Sequence, residues 1–376
     1  MSKKYKAGEF KLFKGYKPFN PSFINQEFEW GTPEIDLLLQ EANTYLGKLN
    51  AYAELVPNVD FFIHMYALKE ATESNMIEGT KTTFDEAVSP EENILPERRD
   101  DWQEVQNYTE ALNYAIKELD NIPLSIRLLK EVHKILLSDV RGRHKAPGEI
   151  RKTQNWIGGS SLQDAFFVPP EPNDLPELLT DLEKFLHNEN LLMPDLIKAG
   201  IAHYQFETIH PFLDGNGRVG RLLIILYLVE RGLLNKPVLY ISDFFERNRN
   251  AYYDSLSFVK TSSSLDQWLR FFLKGVIETS KNSIYAFEKI AKLRREAQQK
   301  VMSISRKPQR RIEFLNMLYS KPTLSVKAVS KEFNLSTPAA NKLVKDFVDV
   351  GILQEKTGYK RNRYFVFEDY LKIFKD

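Results

Sequence analysis

The chain has 376 residues, of which 27% are charged and 43% apolar, and a formal net charge of +1. That length exceeds what one core organises comfortably, so two or three helical units on one polypeptide are expected. The balanced charge excludes a global attraction to membranes or polyanions and leaves only local ones. With no cysteine in the sequence, disulfide frameworks, thiol nucleophiles and thiolate metal sites are excluded, which suits a reducing cytoplasm. The lysine-bearing N-terminus lacks the apolar region of a secretory signal. The longest apolar run, Leu222 to Val229, is too short to span a bilayer. A soluble, cytoplasmic protein is the expectation.

In chain order, the first thirty residues are rich in Lys, Phe, Pro and Gly without a period and read as an extended arm. Thr32, Pro33 and Glu34 open the first helix, after which apolar residues recur at three- and four-residue spacing. Further helices are predicted at about 60–78, 100–120, 123–139, 173–188, 195–209, 217–231, 244–260 and 264–300. Residues 148–170 break this pattern: Gly158-Gly159 lies between β-prone segments that end in Pro169-Pro170, which predicts a hairpin. From 301 onward the chain holds fifteen Lys plus Arg against eight Asp plus Glu. Three short helices and two strand-like pieces around Gly358 then follow, the order of a winged helix-turn-helix.

The most informative stretch is "HPFLDGNGRVGR", residues 210–221, between two helices. Pro211 drives His210 out of the α region and ends the preceding helix beside the loop. Gly215 and Gly217 permit backbone conformations that gather amide groups into one concavity, to which the next helix adds its positive end. Arg218 and Arg221, three apart, share a helix face and suit phosphate oxygens. Asp214 is a hard carboxylate suited to Mg²⁺, and His210 has the intrinsic pKa of a general base. An EF-hand does not fit, because Val219 and Ile225 stand where Gly and Glu are required. His203, Glu207 and His210 form a possible metal-ligand triad, but HExxH is absent and the glycines and arginines stay unexplained. No P-loop motif precedes a helix.

This stretch resembles the HPFx[D/E]GNGRxxR signature of Fic-domain proteins, with every fixed position matched. The resemblance implies a mainly α fold, a Fic-type helical bundle with a small β-hairpin flap and, here, a C-terminal winged helix. It implies transfer of AMP from ATP to a Ser, Thr or Tyr hydroxyl on a protein, with pyrophosphate leaving. His210 would be the base, Asp214 the Mg²⁺ ligand, Gly215, Asn216 and Gly217 the α-phosphate hole, and Arg218 and Arg221 the holders of the outer phosphates. The segment 148–170 corresponds to a flap that registers the target by strand-like pairing. "FFERNRNAYYDSL" resembles the segment closing over the nucleoside and makes Asn248 and Tyr252 candidate base contacts.

"TESNMIEGT" matches the family's inhibitory motif [ST]xxxE[GN] through Ser74, Glu78 and Gly79. It implies a brake in which Glu78, at a helix end stopped by Gly79, forms a fork-type pair with Arg218. In some relatives the corresponding glutamate instead aligns a water that removes AMP. Self-modification and homodimers are further implications. The expected organisation is a regulatory region at 1–110, a Fic core at 111–275, a linker helix at 276–305 and the winged helix at 306–376. In that last unit Lys342, Lys345 and the wing "KTGYKRNRY" would face nucleic acid phosphates. The competing class is a DNA-binding transcriptional regulator whose Fic-derived domain senses nucleotide.

Overall fold

The computed structural model describes residues 3–13, 15–55, 59–304, 308–358 and 363–375. The N-terminal arm is extended and pinned by pairing: β1 (Lys3–Lys4) runs parallel to β4 (Phe28–Glu29), while β2 (Gly8–Phe10) runs antiparallel to β3 (Phe19–Pro21). Helices α1 (Pro33–Leu55), α2 (Asp60–Ile77), the single turn α3 (Phe84–Ala87), α4 (Arg99–Glu118), α5 (Ile126–Leu136) and α6 (Leu175–His187) follow. Then come α7 (Asp195–Ile209), α8 (Asn216–Glu230), α9 (Ile241–Arg247), α10 (Arg249–Ser262) and α11 (Asp266–Ile304). Among the described residues no helix is long and apolar enough to cross a membrane.

The periodicity places the long helices well, and the departures have local causes. One expected helix over 244–260 is two, because Asn248 leaves the α region and its side-chain amide donates to the Phe244 carbonyl at 2.9 Å. The expected hairpin over 148–170 shrinks to one bridge, in which Ile157 and Phe167 exchange backbone hydrogen bonds at 2.8 and 3.1 Å. Outward the ladder stops where Asn155 would pair with Pro169, which has no N–H to give, and at the tip Asp164 takes the Ser160 and Ser161 amides at 3.0 and 2.6 Å, closing a turn. Helix α11 passes through residues 275 and 276 without interruption.

Helices α7 and α8 lie at the centre. Leu222 to Leu228 of α8 are all 1% exposed or less, as a helix apolar on every side must be when others surround it. Around this pair stand α2, α4, α5, α6 and α11. Trp268 of α11 donates its indole N–H to the Gly200 carbonyl at 2.8 Å, tying the long helix to α7.

The C-terminal part contains α12 (Gln309–Ser320), β5 (Thr323–Ser325), α13 (Val326–Glu332), α14 (Thr337–Asp349), β6 (Gln354–Glu355), β7 (Tyr364–Val366) and α15 (Glu368–Lys372). The strands form one antiparallel sheet in the order β5-β7-β6. Strand β5 and helix α15 are too short for a sequence pattern to announce. Tyr359, Lys360, Arg361 and Asn362 of the expected wing lie outside the described residues. This unit packs on α2 and on the segment behind it through aromatic side chains. Tyr319 and Tyr370 meet Phe62, with ring centroids 5.1 and 6.2 Å apart. Phe374 meets Tyr66 at 5.4 Å and Phe84 at 5.8 Å. The Ser89 and Tyr364 hydroxyls share a hydrogen bond of 2.9 Å, and Lys375 pairs with Asp85 at 2.6 Å.

Removing the Phe374 ring opens a cavity inside this aromatic cluster. Phe374→Ala is expected to cost about 3–5 kcal/mol, read from urea unfolding midpoints; a loss below about 1 kcal/mol would show that the cluster does not bind the two parts together.

Candidate active site

The loop between α7 and α8 is built by its own residues. His210 ends α7 in the left-handed region, at φ 49°. Its Nδ1 lies 3.3 Å from the Glu207 carbonyl, and donation there leaves Nε2 with the lone pair. Burial pushes its pKa down to about 4, so the ring is neutral at ordinary pH. Asn216 closes the turn: its Oδ1 accepts from the Phe212 N–H at 2.8 Å and its Nδ2 donates to the Phe212 carbonyl at 2.9 Å. The Asn216 side chain is therefore a staple for the loop, and what it can offer an anion is its backbone N–H at the start of α8.

The two glycines act differently. Gly215 has φ 75° and caps α8, a conformation that side chains resist. Gly217 is helical, and its role is space: a Cβ there would lie 2.1 Å from Glu78 Oε1. A carboxylate thus rests directly against the first turn of α8, where the amide dipoles favour negative charge.

Glu78 comes from the C-terminal end of α2, and Gly79 after it has φ 93°. Its partner is Arg221, with Nη2 to Oε1 at 2.6 Å, and not Arg218 as the motif alone suggested. Arg221 also donates from Nε to Ser74 Oγ and from Nη2 to the Ser74 carbonyl, both at 2.8 Å. All three motif residues therefore serve one interaction. Arg218 instead donates to Glu104 of α4 at 3.1 Å and to the Asn75 amide oxygen at 3.3 Å. The two arginines leave α8 at the same end, where Arg221 takes its acid from α2 and Arg218 takes its acid from α4 while also bonding Asn75 of α2. Arg221 is 1% exposed and Glu78 keeps a third of its side-chain surface open. Burial by itself would raise the Glu78 carboxyl, but Arg221, then Arg218 and His210, hold it below the usual carboxylate value.

Asp214 is the exposed acid of the loop, with 46% of its side-chain surface open. Its Oδ1 accepts from the Gly215 N–H at 2.6 Å, and Arg218 Nη2 lies 3.9 Å away. Among the described residues no group of three His, Asp or Glu side chains could hold a metal ion by itself. The His203–Glu207–His210 triad does not exist as a ligand set. Both ring nitrogens of His203 are engaged, Nδ1 with the Gly220 carbonyl and Nε2 with the Tyr252 hydroxyl, each at 2.8 Å. Tyr252 is consequently core, stacked on Phe245, and cannot serve as a base contact. Asn248 spends its amide on Phe244.

Three residues that shape the site escaped the sequence reading. His133 of α5 stacks on Phe212 at 3.8 Å, accepts from the Gly148 N–H at Nδ1, and donates from Nε2 to the Asp214 carbonyl at 2.9 Å. Arg151, 3% exposed, donates to the carbonyls of His210 and Pro170 at 2.9 and 2.6 Å, locking the base of the 148–170 segment to the catalytic turn. Glu104 is the third. The 148–170 segment presents Trp156, Ile157 and Phe166 to solvent.

Comparison with known proteins places parts of the chain beside one family. Residues 37–117 match the Fic/DOC family N-terminal model, and residues 123–228 match the Fic/DOC family model. Over 175 residues, 46% of this chain, it is 33% identical to "Protein adenylyltransferase Fic" of Culex quinquefasciatus, covering 32% of that protein. It is 44% identical over 111 residues to a probable protein adenylyltransferase of Aquifex aeolicus, covering 29% of this chain and 30% of that one. The matched part thus spans about a third of these relatives' length. The crystal structure of a Fic family protein from Desulfovibrio desulfuricans G20 shares the fold, with TM-score 0.57 and 20% identity over 90% of this chain and 97% of that one.

Burial lowers His203 to about 3 from the ordinary imidazole value near 6.5. The unfolded chain therefore binds the proton first as pH falls, and the neutral folded imidazole loses its advantage. The stability advantage of the natural protein over His203→Gln is expected to be complete above about pH 6.5 and to shrink steadily toward about pH 3. Urea midpoints at a series of pH values measure it; a difference independent of pH refutes the assignment.

Proposed function

Because residues 37–117 and 123–228 match the Fic/DOC family models, we propose that the chain is a Fic-type protein adenylyltransferase that moves AMP from ATP to a serine, threonine or tyrosine hydroxyl of a protein, itself included. The observation that carries this reading is the Glu78 carboxylate seated between Gly217 and Arg221. It marks an anion site at the first turn of α8, which follows the turn that His210 begins.

In the reaction, the target hydroxyl oxygen attacks the α-phosphorus of ATP while its proton passes to His210 Nε2. The bond from that phosphorus to the bridging oxygen breaks, and pyrophosphate leaves. The backbone N–H groups of Asn216 and Gly217 would meet the α-phosphate, joined by that of Gly215 once Asp214 Oδ1 releases it, and Arg218 and Arg221 would meet the outer phosphates, charge stabilisation being the main demand of such transfers. Asp214 fits a divalent cation that draws its remaining ligands from the phosphates, since its carboxylate is open and lies at the same turn. Mg²⁺ bound there would neutralise phosphate charge. The apolar rim of Trp156, Ile157 and Phe166 beside the turn suits an extended target segment. Asn248 remains a candidate nucleoside contact through the half of its amide not spent on Phe244.

Glu78 is the brake in this reading. It occupies the guanidinium that the γ-phosphate needs and repels the phosphate from the first turn of α8. With a third of its surface open beside His210, the same carboxylate can also align a water for the reverse removal of AMP. The organisation proposed is a regulatory region before residue 110, the catalytic core to 275, the continuation of α11, and a C-terminal winged helix from 306. Exposed Lys342 and Lys345 on α14 support duplex DNA as a partner of that last unit, and a homodimer is part of the same reading.

With labelled ATP and purified protein, Glu78→Gly is expected to raise labelling well above the natural protein, and His210→Ala to abolish it in either background. Equal labelling by the natural protein and Glu78→Gly removes the brake. Mass spectrometry of the product reads the added group, and a mass other than AMP changes the donor.

The pH profile tests the base. With His210 held at about 4, kcat/KM of the Glu78→Gly variant stays level from about pH 8 to about pH 6 and declines only below. The measurement is made also in Glu207→Gln, which removes a neighbouring carboxyl that burial lifts to about 7. A descending limb near 6.5, the value of an unburied imidazole, excludes His210 in this environment as the base.

A further inference from the structure

Arg218 and Arg221 are both almost wholly buried, yet their partners are of different kinds. Arg221 is held by Glu78, which sits at a helix end before a glycine and keeps a third of its surface open. Arg218 is held by Glu104, which lies inside α4 and is 6% exposed. Two hydrogen bonds from the next turn keep α4 in place beside Glu104. Asn107 donates to the Ser138 carbonyl at 2.6 Å, binding α4 to the end of α5. Tyr108 donates to Glu70 of α2 at 3.1 Å. From α5, His133 reaches the Asp214 carbonyl of the loop, so Glu104 and the catalytic turn belong to one frame.

The guanidinium of Arg218 is only partly satisfied. Nη1 serves Glu104 and Asn75, Nη2 is 3.9 Å from Asp214, and buried Nε has no hydrogen-bond partner among the described residues. A buried N–H without an acceptor is costly, and here it belongs to a residue whose other edge is firmly fixed. That combination is what a preorganised anion donor requires: one side anchored, the other in want of an oxygen.

We propose that Glu104 is a positioning residue for the transfer reaction: it anchors Arg218 through Nη1 so that the remaining N–H groups are held ready for a phosphate oxygen of ATP. The proposal rests on the adenylyltransferase reading. It separates the two arginines by task, with Arg221 gated by the removable Glu78 and Arg218 held permanently by Glu104. Glu104 touches neither nucleotide nor target, and its effect passes through Arg218.

The test uses the full chain in the Glu78→Gly background, with labelled ATP. Glu104→Gln keeps size and loses charge; it is expected to lower kcat at least about tenfold while KM for ATP changes less than about threefold, since a misaligned donor costs most in the transition state. In a further Arg218→Ala background, Glu104→Gln is expected to cost nothing more. Thermal melts accompany each variant, and Glu104→Asp, which returns the charge one methylene short, is expected to recover part of kcat even if the glutamine variant folds poorly. Unchanged kcat in Glu104→Gln overturns the proposal. So does an equal loss with Arg218 already removed, which would make Glu104 a merely structural residue. If Glu78→Gly itself transfers nothing while binding no ATP, the adenylyltransferase reading falls and this assignment falls with it.

Discussion

Two guanidinium groups lie inside an apolar helix pair, and everything around the site answers to that. A buried, unpaired charge costs several kcal/mol, so Arg218 and Arg221 must have anions at all times. The protein supplies them itself, Glu104 to Arg218 and Glu78 to Arg221. In the proposed reaction, the carboxylate that keeps Arg221 satisfied is the one that would have to leave before a triphosphate settles. Gly217 makes the substitution possible in both directions, because any side chain there would keep carboxylate and phosphate alike from the first turn of α8.

The catalytic turn is equally constrained from its other side. His210 adopts a left-handed conformation that costs free energy for a residue with a Cβ, and several groups hold it there. Arg151 bonds its carbonyl, the Asn216 side chain clamps Phe212, and His133 supports Phe212 and the Asp214 carbonyl. The neutral imidazoles of His133 and His210 arise from one cause, burial, which pushes both down to about 4. One fixes the loop and the other is free to accept a proton, the difference being which ring nitrogens are already engaged.

Much of this was legible in the sequence, and the limits are instructive. The twelve residues from His210 to Arg221 concentrate rare residue types at fixed spacing, so their chemistry reads directly. Long helices such as α5 and α6 carry an apolar stripe that locates them within a few residues. Partnership was not legible. Spacing places Arg218 and Arg221 on one face but does not say that α2 reaches both while α4 supplies the acid only to Arg218. Glu104 is an unremarked acid in an amphipathic helix, and only the fold gives it a buried arginine. The hairpin failed for a related reason: glycines and β-prone residues signal a turn, but Asp164 and the prolines decide how many backbone donors remain for a ladder.

The brake helix also belongs to a second interface. Its C-terminal end meets the arginines through Ser74, Asn75 and Glu78, while Phe62 and Tyr66 near its start are covered by Tyr319, Tyr370 and Phe374 of the C-terminal unit. The segment leaving the brake is held as well, through Phe84, Asp85 and Ser89. A helix transmits displacement along its axis because its hydrogen bonds resist stretching, so these contacts cannot all be kept while the helix shifts. Displacing α2 as a whole would therefore cost aromatic burial far from the Glu78–Arg221 pair, whereas rotating the Glu78 side chain about its own bonds would leave that burial in place.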